Sequence, residues 1–242
     1  METDWDRSAE AWLAHLGGTG DMSRRLVLDG PLRARVLRHR ARTLLDVGCG
    51  DGRFCRMLGR DGVACTGLDP TERFLEAARS ADPSGVYEKG VAEALPFEDG
   101  VFEAVVSYLS LIDISDARAG LAEMARVLAP GGILLIANLQ GFATASQIKG
   151  RGFRTNADGS RTMTMHRYLE EHTHEAAWRG IRVINYHRPQ SLYMETLLGL
   201  GLRLTWFAEP PARGAIDAVE MARADAYNHA PYLYAMEWER PA

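Results

Sequence analysis

The chain has 242 residues, of which 46% are hydrophobic and 25% charged, and its formal net charge is −4. This composition is that of an ordinary soluble globular protein, and the negative balance argues against nucleic acid as a partner. No apolar run approaches the roughly 20 residues of a membrane-spanning helix, and the acidic residues 1–6 do not resemble a secretory signal. We therefore expect a cytoplasmic protein with no membrane partner.

The first 40 residues are predicted to form helices. Trp5, Trp12 and Leu16 fall on one apolar stripe at helical spacing. A second helix is expected near Pro31, because proline is favoured in the first turn of a helix. The basic residues that follow favour a solvated helix face and turn, with a phosphate or acidic-substrate patch as the alternative; they are Arg33, Arg35, Arg38, His39, Arg40 and Arg42.

Strands and helices alternate over residues 41–138. The predicted strands are Thr43–Val47, Val63–Leu68, Val86–Glu88, Phe102–Tyr108 and Gly132–Asn138. The predicted helices between them are Phe54–Leu58, Glu72–Ala78 and Ala117–Leu128. This alternation predicts right-handed crossovers and a mostly parallel α/β sheet that is covered by helices on both faces.

Residues 139–188 break this alternation. The β-like runs Arg161–Tyr168 and Ile181–His187 predict an inserted antiparallel segment. Its apolar and aromatic side chains are expected to cover a partly apolar molecule; they are Phe153, Met163, Met165, Tyr168, Trp178 and Tyr186.

Regular structure returns over residues 189–242. A helix is expected after Pro189, with Ser191 as its N-cap and Gly201 as its stop. The last two predicted strands are Leu202–Ala208 and Tyr232–Glu239, and the apolar–polar alternation of the second predicts an antiparallel strand.

A glycine-rich turn follows the first predicted strand. The run Leu44–Val47 contains an acid, Asp46, and glycines then occupy alternate positions at Gly48, Gly50 and Gly52. Glycines at the end of a strand let a ligand approach the backbone closely, and the next helix offers its N-terminus. The spacing is not the dinucleotide fingerprint, which would require glycine where Arg53 stands.

This D-x-G-x-G-x-G pattern resembles motif I of class I S-adenosylmethionine-dependent methyltransferases. Five further segments resemble other motifs of these enzymes in the same order: Gly67–Asp69, Gly90–Phe97, Phe102–Ser107, Arg126–Gly132 and His187–Tyr193. The last resembles small-molecule members of the ubiquinone and menaquinone biosynthesis type. The chain departs from the family at Val91, where relatives usually carry an aspartate against the adenine, and at Tyr108, where many carry histidine.

The resemblance implies a single domain over residues 1–242 with a Rossmann-like seven-stranded sheet whose last strand is antiparallel. Residues 1–40 would be a helical cap, 41–138 the cofactor-binding core, 139–188 a cap insertion and 189–242 the rest of the sheet. The implied cofactor is S-adenosylmethionine, with S-adenosylhomocysteine as product. The implied cofactor-binding residues are Arg24, Asp46, Gly48, Cys49, Gly50, Asp69, Pro70, Phe74, Ala92, Glu93 and Ser107.

Four of these assignments have structural alternatives. Asp69 is expected to bind the ribose hydroxyls, but Asp69-Pro70-Thr71-Glu72 also fits a capping box. Asp46 could simply satisfy loop amides. Phe74 could be plain core instead of an adenine contact, and Arg24 could be a surface residue instead of a partner for the methionine carboxylate.

Methyl transfer from a sulfonium needs alignment and water exclusion more than it needs catalytic side chains. A base is required only for an acceptor that arrives protonated. The candidates are His187, His166 and Tyr108, each with a purely structural alternative. No metal is expected at the histidines and glutamates near residues 170–175 or at the three cysteines, which lack metal-ligand spacing.

The predicted function is methyl transfer to an oxygen, nitrogen or carbon atom of a small, partly apolar acceptor. The alternatives are a non-catalytic S-adenosylmethionine-binding protein and a nicotinamide-dependent oxidoreductase. A nucleic-acid methyltransferase is a weaker alternative, because only the basic Arg33–Arg42 cluster favours it. The oligomeric state is left open between monomer and homodimer.

Overall fold

Helices enclose a central sheet in the computed structural model, which describes residues 4–17, 20–146, 154–215 and 217–242. The strands are β1 Thr43–Val47, β2 Ala64–Asp69, β3 Val86–Lys89, β4 Phe102–Tyr108, β5 Leu128–Leu139, β6 Arg154–Thr155, β7 Arg161–Thr162, β8 His172–Trp178, β9 Ile181–His187, β10 Arg203–Ala208 and β11 Leu233–Glu239. The helices are α1 Asp4–Leu16, α2 Asp29–His39, α3 Arg53–Gly59, α4 Glu72–Ala81, α5 Ala117–Val127, α6 Gly141–Thr144, α7 Gln190–Gly199 and α8 Ala218–His229. A π-helical turn, Arg24–Leu28, leads directly into α2.

The main sheet has seven strands in the order β10-β11-β5-β4-β1-β2-β3. The pairs β3–β2, β2–β1, β1–β4 and β4–β5 are parallel, whereas β11 is antiparallel to both β5 and β10. Six strands therefore run in one direction and the last strand runs in the other. The prediction of a Rossmann-like, mostly parallel sheet with an antiparallel last strand is confirmed.

Successive residues of the central strands enter two different cores. Leu45 and Val105 pack with α5 and α7 on one face of the sheet. Leu44 and Val106 pack with α2, α3 and α8 on the other. Because side chains alternate across a strand, burial on both faces requires the nearly continuous apolar runs that the sequence shows.

Several boundaries differ from the predicted ones. Strand β5 begins at Leu128 directly after α5, earlier than the predicted Gly132. The N-cap of α7 is Pro189 and makes no side-chain bond, so the prediction that Ser191 caps this helix is wrong. Of the run Arg161–Tyr168 only the first two residues form a named strand, because just these two pair with β6.

The inserted segment contains a hairpin of which the sequence predicted only the second strand, Ile181–His187. Strand β8 pairs antiparallel with β9. Arg179 and Gly180 connect them with φ values of 46° and 83°. Positive φ at both central residues is the requirement of a tight turn that matches the twist of the strands. Phe153, predicted to belong to this cap, lies outside the described residues.

Helix α1 packs on this hairpin. The Ser8 hydroxyl donates to the Arg182 carbonyl at 2.9 Å and accepts from the Arg182 N–H at 3.0 Å. The ring of Trp12 lies 6.2 Å from that of Trp178, and Trp5 lies 5.8 Å from Phe74 on α4. The helix and the hairpin thus cover the same end of the sheet.

The basic cluster before β1 is used inside the fold. Arg35 donates twice to the completely buried Glu237 on β11, at 2.6 and 2.5 Å, and His39 lies 3.1 Å from the same carboxylate. Burial by itself would raise the pKa of Glu237, but the bonds from Arg35 and Thr205 outweigh it and hold this pKa below its usual value. Two residues of the cluster are thus used inside the fold, whereas Arg33 and Arg42 pair with Asp61 and Glu103 at the surface. The phosphate-patch alternative stays a prediction for the exposed Arg38 and Arg40.

We expect Arg35→Ala to lower the free energy of unfolding by about 3 kcal/mol, because it leaves the Glu237 carboxylate buried with its main partner removed. The matched control is Arg33→Ala, which breaks the exposed pair with Asp61 and should cost less than about 1 kcal/mol. Urea unfolding of the two variants measures both costs. Equal losses of unfolding free energy in the two variants would show that the buried Arg35–Glu237 pair stabilises the fold no more than the exposed Arg33–Asp61 pair.

Candidate functional site

A cavity of about 540 Å³ lies at the carboxyl ends of β1, β2 and β4. Ligands of open α/β sheets bind at this end of the strands. Its wall also includes Trp5 and Trp12 from α1, Phe74 from α4 and Ile184 and Tyr186 from β9. The N-terminal helix and the hairpin therefore cover part of the crevice at the ends of the strands.

Ten of the eleven residues predicted to bind the cofactor line this cavity: Arg24, Asp46, Gly48, Cys49, Gly50, Asp69, Pro70, Phe74, Ala92 and Glu93. The exception is Ser107, which is completely buried in β4. Its hydroxyl lies 2.7 Å from that of Ser110, which in turn donates to the Val47 carbonyl at 2.6 Å. Ser110 lines the cavity in its place.

The three glycines of the loop serve different purposes. A Cβ on Gly48 would lie 2.4 Å from the Ser110 Cβ, and one on Gly52 would lie 2.5 Å from the Tyr87 ring. Gly50, which has a φ of 55°, would meet nothing within 4 Å. Two glycines are thus required by close packing, whereas the missing side chain of Gly50 leaves space beside the cavity.

Asp69 connects the glycine loop to the start of α4. One carboxylate oxygen accepts from the Gly50 N–H and the other from the Thr71 N–H, both at 2.9 Å. Thr71 is the N-cap of α4, so the capping-box interpretation of Asp69 is wrong. Burial raises the pKa of Asp69 to about 6. Each oxygen keeps a lone pair that a ligand hydroxyl can use.

Asp46 is a buried acid with an unused acceptor. Its Oδ2 accepts from the Cys55 thiol at 3.7 Å, whereas Oδ1 has no hydrogen-bond partner among the described residues. Burial raises the pKa of this carboxyl to about 7. This oxygen is itself buried, so a positively charged ligand in the cavity would act on Asp46 through its charge, by favouring the ionised carboxylate.

The basic groups of the wall have acidic partners. Arg24 forms an ion pair with Asp21, and its guanidinium lies 5.2 Å from the centre of the Trp12 ring. Arg53 donates twice to Asp29, at 2.9 and 2.7 Å. The wall therefore presents carboxylates that outnumber its ion-paired guanidiniums.

Tyr108 lines the cavity as predicted, but its hydroxyl is engaged. It donates to Asp29 at 2.8 Å, and burial together with this carboxylate holds the pKa of Tyr108 well above its usual range. A tyrosine that is held neutral cannot take a proton, so its position favours a role in the wall.

The two predicted histidines lie elsewhere. His187 is completely buried, with Nδ1 2.6 Å from the Thr144 hydroxyl and Nε2 2.9 Å from the Tyr168 carbonyl. It is not among the cavity-lining residues, because the alternation of β9 turns it away from Tyr186. His166 is exposed and does not line the cavity either. The structure does not bring these two residues into the site.

Asp113 is a cavity residue that the sequence analysis missed. It lies in the loop after β4, and the Asn185 side chain donates to its Oδ1 at 2.7 Å. Burial raises the pKa of Asp113 to about 7, against the hydrogen bonds from Trp5 and Asn185. The only feature of the sequence that could have indicated Asp113 is its position in the loop after a predicted strand, because loop residues have no hydrophobic periodicity.

The described residues contain neither a candidate metal site nor a candidate membrane-spanning helix. Among the described residues there is no group of three or more histidines, cysteines, aspartates or glutamates that could hold a metal ion. None of the helices within the described ranges is long and apolar enough to cross a membrane.

Comparison with known proteins agrees with this site. Residues 45–136 match a family model described as a methyltransferase domain. The chain is 34% identical over 169 residues to a malonyl-[acyl-carrier protein] O-methyltransferase of Serratia marcescens, which covers 67% of this chain and 65% of that protein. It is 31% identical over 158 residues to a demethylmenaquinone methyltransferase of Beutenbergia cavernae, covering 57% of this chain and 66% of the relative. The alignments thus span just under two thirds of these relatives.

The fold matches over a greater length. An S-adenosylmethionine-dependent methyltransferase of Mesorhizobium loti superposes with a TM-score of 0.74 at 25% identity, covering 87% of this chain and 96% of that one. Residues 45–136 thus form a methyltransferase domain, and the fold around them matches that of an S-adenosylmethionine-dependent methyltransferase, as the glycine loop and the motifs after it predicted. The cofactor of this class is S-adenosylmethionine.

We expect Gly50→Ala to weaken S-adenosylmethionine binding at least about tenfold, because the new methyl group enters the cavity. Its stability cost should be about 1–2 kcal/mol, the cost of a left-handed backbone for alanine. The matched variant Gly48→Ala adds a clash with Ser110 and should lose more stability. Calorimetric binding and urea unfolding separate the two effects, and unchanged binding by Gly50→Ala would place the ligand elsewhere.

We expect the stability advantage of Asp46→Asn over the wild type to grow as the pH rises from about 4 to about 7. The folded wild type keeps a proton on Asp46 across this window, whereas the unfolded chain has already lost it, so its free energy of unfolding falls. The gain should be at least about 1 kcal/mol. Urea unfolding at several pH values measures it, and a pH-independent difference would contradict the raised pKa.

Proposed function

We propose that this protein transfers a methyl group from S-adenosylmethionine to an oxygen, nitrogen or carbon atom of a small, partly apolar acceptor. The observation that carries the proposal is the arrangement of Gly50, Asp69 and Asp46 at the ends of β1 and β2, open to a covered cavity. The proposal treats residues 1–242 as one working unit.

The wall fits the cofactor part by part. Asp69 would accept from the ribose hydroxyls, and the Gly48–Gly50 backbone would lie against the ligand. Asp46 would lie near the positively charged methionine end. Arg24 would share its guanidinium between Asp21 and the methionine carboxylate, which leaves none for a second anion. When bound, the cofactor supplies a methyl group on a sulfonium, which is a good leaving group.

The adenine end departs from the common pattern. Val91 lines the cavity where relatives usually carry aspartate. Glu93 lines it too, but its Oε1 already accepts from the Ser115 hydroxyl at 2.9 Å and the Asp116 N–H at 3.2 Å. We assign the adenine contact to the second oxygen of Glu93 and to the packing of Phe74.

The protein's own contribution would be position and exclusion of water. Trp5, Trp12, Ile184 and Tyr186 line the covered side of the cavity, which gives an acceptor an apolar surface. Alignment of the acceptor with the methyl group in such a chamber accounts for much of the rate enhancement in reactions of this kind. The relatives act, by their names, on malonyl-acyl-carrier protein and on demethylmenaquinone. Their difference argues against copying either substrate to this chain.

The remaining expectations stay predictions. They are a cytoplasmic location, the absence of a nucleic-acid partner, and a monomer or a homodimer. A non-catalytic S-adenosylmethionine-binding protein and a nicotinamide-dependent oxidoreductase are the alternatives that experiment must separate, and no feature of the cavity favours either.

The test is a thermal-shift titration with S-adenosylmethionine, S-adenosylhomocysteine and NAD. We expect the melting temperature to rise with the first two only, because a ligand that binds the folded state stabilises it. Asp69→Ala should weaken their binding by about 1–3 kcal/mol through the lost charge-assisted contacts. Stabilisation by NAD alone would overturn the proposal, and unchanged affinity of Asp69→Ala would remove that residue's role.

A further inference from the structure

Residues at and just after the end of β9 form hydrogen bonds to the backbone of the loop after β4. Arg188 donates to the carbonyls of Leu111 at 3.0 Å, Ile114 at 2.7 Å and Ser115 at 2.9 Å. The N–H of Tyr186 donates to the Ile112 carbonyl at 2.7 Å. A loop with this many fixed carbonyls has little freedom, so its side chains are held in position.

Asp113 lies in the middle of this loop and faces the cavity. Asn185 donates to one of its oxygens at 2.7 Å. An ionised carboxylate can accept about four hydrogen bonds, so room remains for a ligand donor. The wall also includes Ile114, Ile184 and Tyr186, which are apolar or aromatic. Asp113 is thus a polar group on the covered side, where the acceptor is expected.

The charges of the cavity wall indicate which charge the acceptor can carry. Its guanidiniums, Arg24 and Arg53, already pair with Asp21 and Asp29. Its carboxylates are Asp4, Asp46, Asp51, Asp69, Glu93 and Asp113. Asp4 and Asp51 pair with Arg7 and Arg56, so four acids of the wall have no ion-pair partner within the described part of the chain. Among the described lining residues no guanidinium lacks an acidic partner, so an anionic acceptor would be repelled.

We propose that Asp113 takes the proton from an acceptor that carries an O–H or N–H group, and that a carboxylate anion is not the acceptor. This inference rests on the proposed function and adds the class of the substrate. It also separates this chain from a relative named for methyl transfer to a malonyl group.

The reaction transfers a methyl group to the acceptor and a proton to Asp113. The lone pair of the acceptor oxygen or nitrogen forms a bond to the methyl carbon. The carbon–sulfur bond breaks, and sulfur keeps that electron pair as a neutral thioether. The proton of the acceptor passes to the Asp113 carboxylate, which releases it to solvent after product leaves.

The protonation behaviour of Asp113 agrees with this role. A base works best when its pKa lies near the working pH, and burial raises this pKa to about 7. The charged groups that act on Asp113 are Arg24, which lowers its pKa, and Asp69, which raises it.

The experiment uses equilibrium binding, so it needs no knowledge of the acceptor. Sinefungin carries an ammonium group where the methyl sulfonium stands, whereas S-adenosylhomocysteine carries a neutral sulfur. If Asp113 lies beside the acceptor position, the preference for sinefungin over S-adenosylhomocysteine should fall about tenfold in Asp113→Asn. This variant keeps an oxygen for the Asn185 bond. The charge-matched control is Asp116→Asn, which keeps the N-cap of α5 and does not line the cavity.

The pH dependence supplies the second readout. In the wild type the preference for sinefungin should rise between about pH 5.5 and 8 as the acids of the wall ionise. Asp46 and Asp69 titrate in the same range, so part of this rise remains in every variant. The rise should be smaller in Asp113→Asn than in Asp116→Asn, and that difference is the contribution of Asp113. An unchanged ratio with tight binding of both ligands would overturn the role of Asp113 and leave the proposed function standing. Failure of both ligands to bind the wild type would overturn the proposed function itself.

Discussion

The site depends on the carboxylate of Asp69, which holds two segments together at the ends of the parallel strands. Through the Gly50 and Thr71 N–H groups it fixes the glycine loop after β1 against the start of α4. The backbone N–H groups of Gly48 and Cys49 add bonds to the Leu68 carbonyl. Because these loop donors are bonded to the end of β2, the loop is held in position without a ligand, which lowers the cost of binding.

Burial of acids at the strand ends has a cost that a cationic ligand can offset. Asp46, Asp69 and Asp113 have pKa values raised to about 7, 6 and 7, and burial is the largest cause for each. A sulfonium or an ammonium in this cavity would favour their ionised forms. Stability and ligand charge are therefore linked in this chamber, as they are wherever a site holds uncompensated charge.

The cap turns the strand ends into a chamber through contacts between distant parts of the chain. Ser8 on α1 bonds to Arg182 on β9, and Asn185 and Arg188 fasten the loop after β4. The same hairpin therefore covers the cavity and positions its wall. One element couples the N-terminal helix to the loop that would meet the acceptor.

The sequence by itself determined the α/β alternation, the seven strands to within a few residues, and the glycine loop with Asp69, because periodicity and glycine spacing are local properties. Ten of the eleven residues that the sequence predicted to bind the cofactor line the cavity, because the strand ends of a parallel sheet converge. Only the tertiary structure decided that His187 turns into the interior and that Asp113 faces the cavity. These outcomes depend on the packing of β9 against the β4 loop, and no local pattern encodes contacts between residues so far apart in the chain.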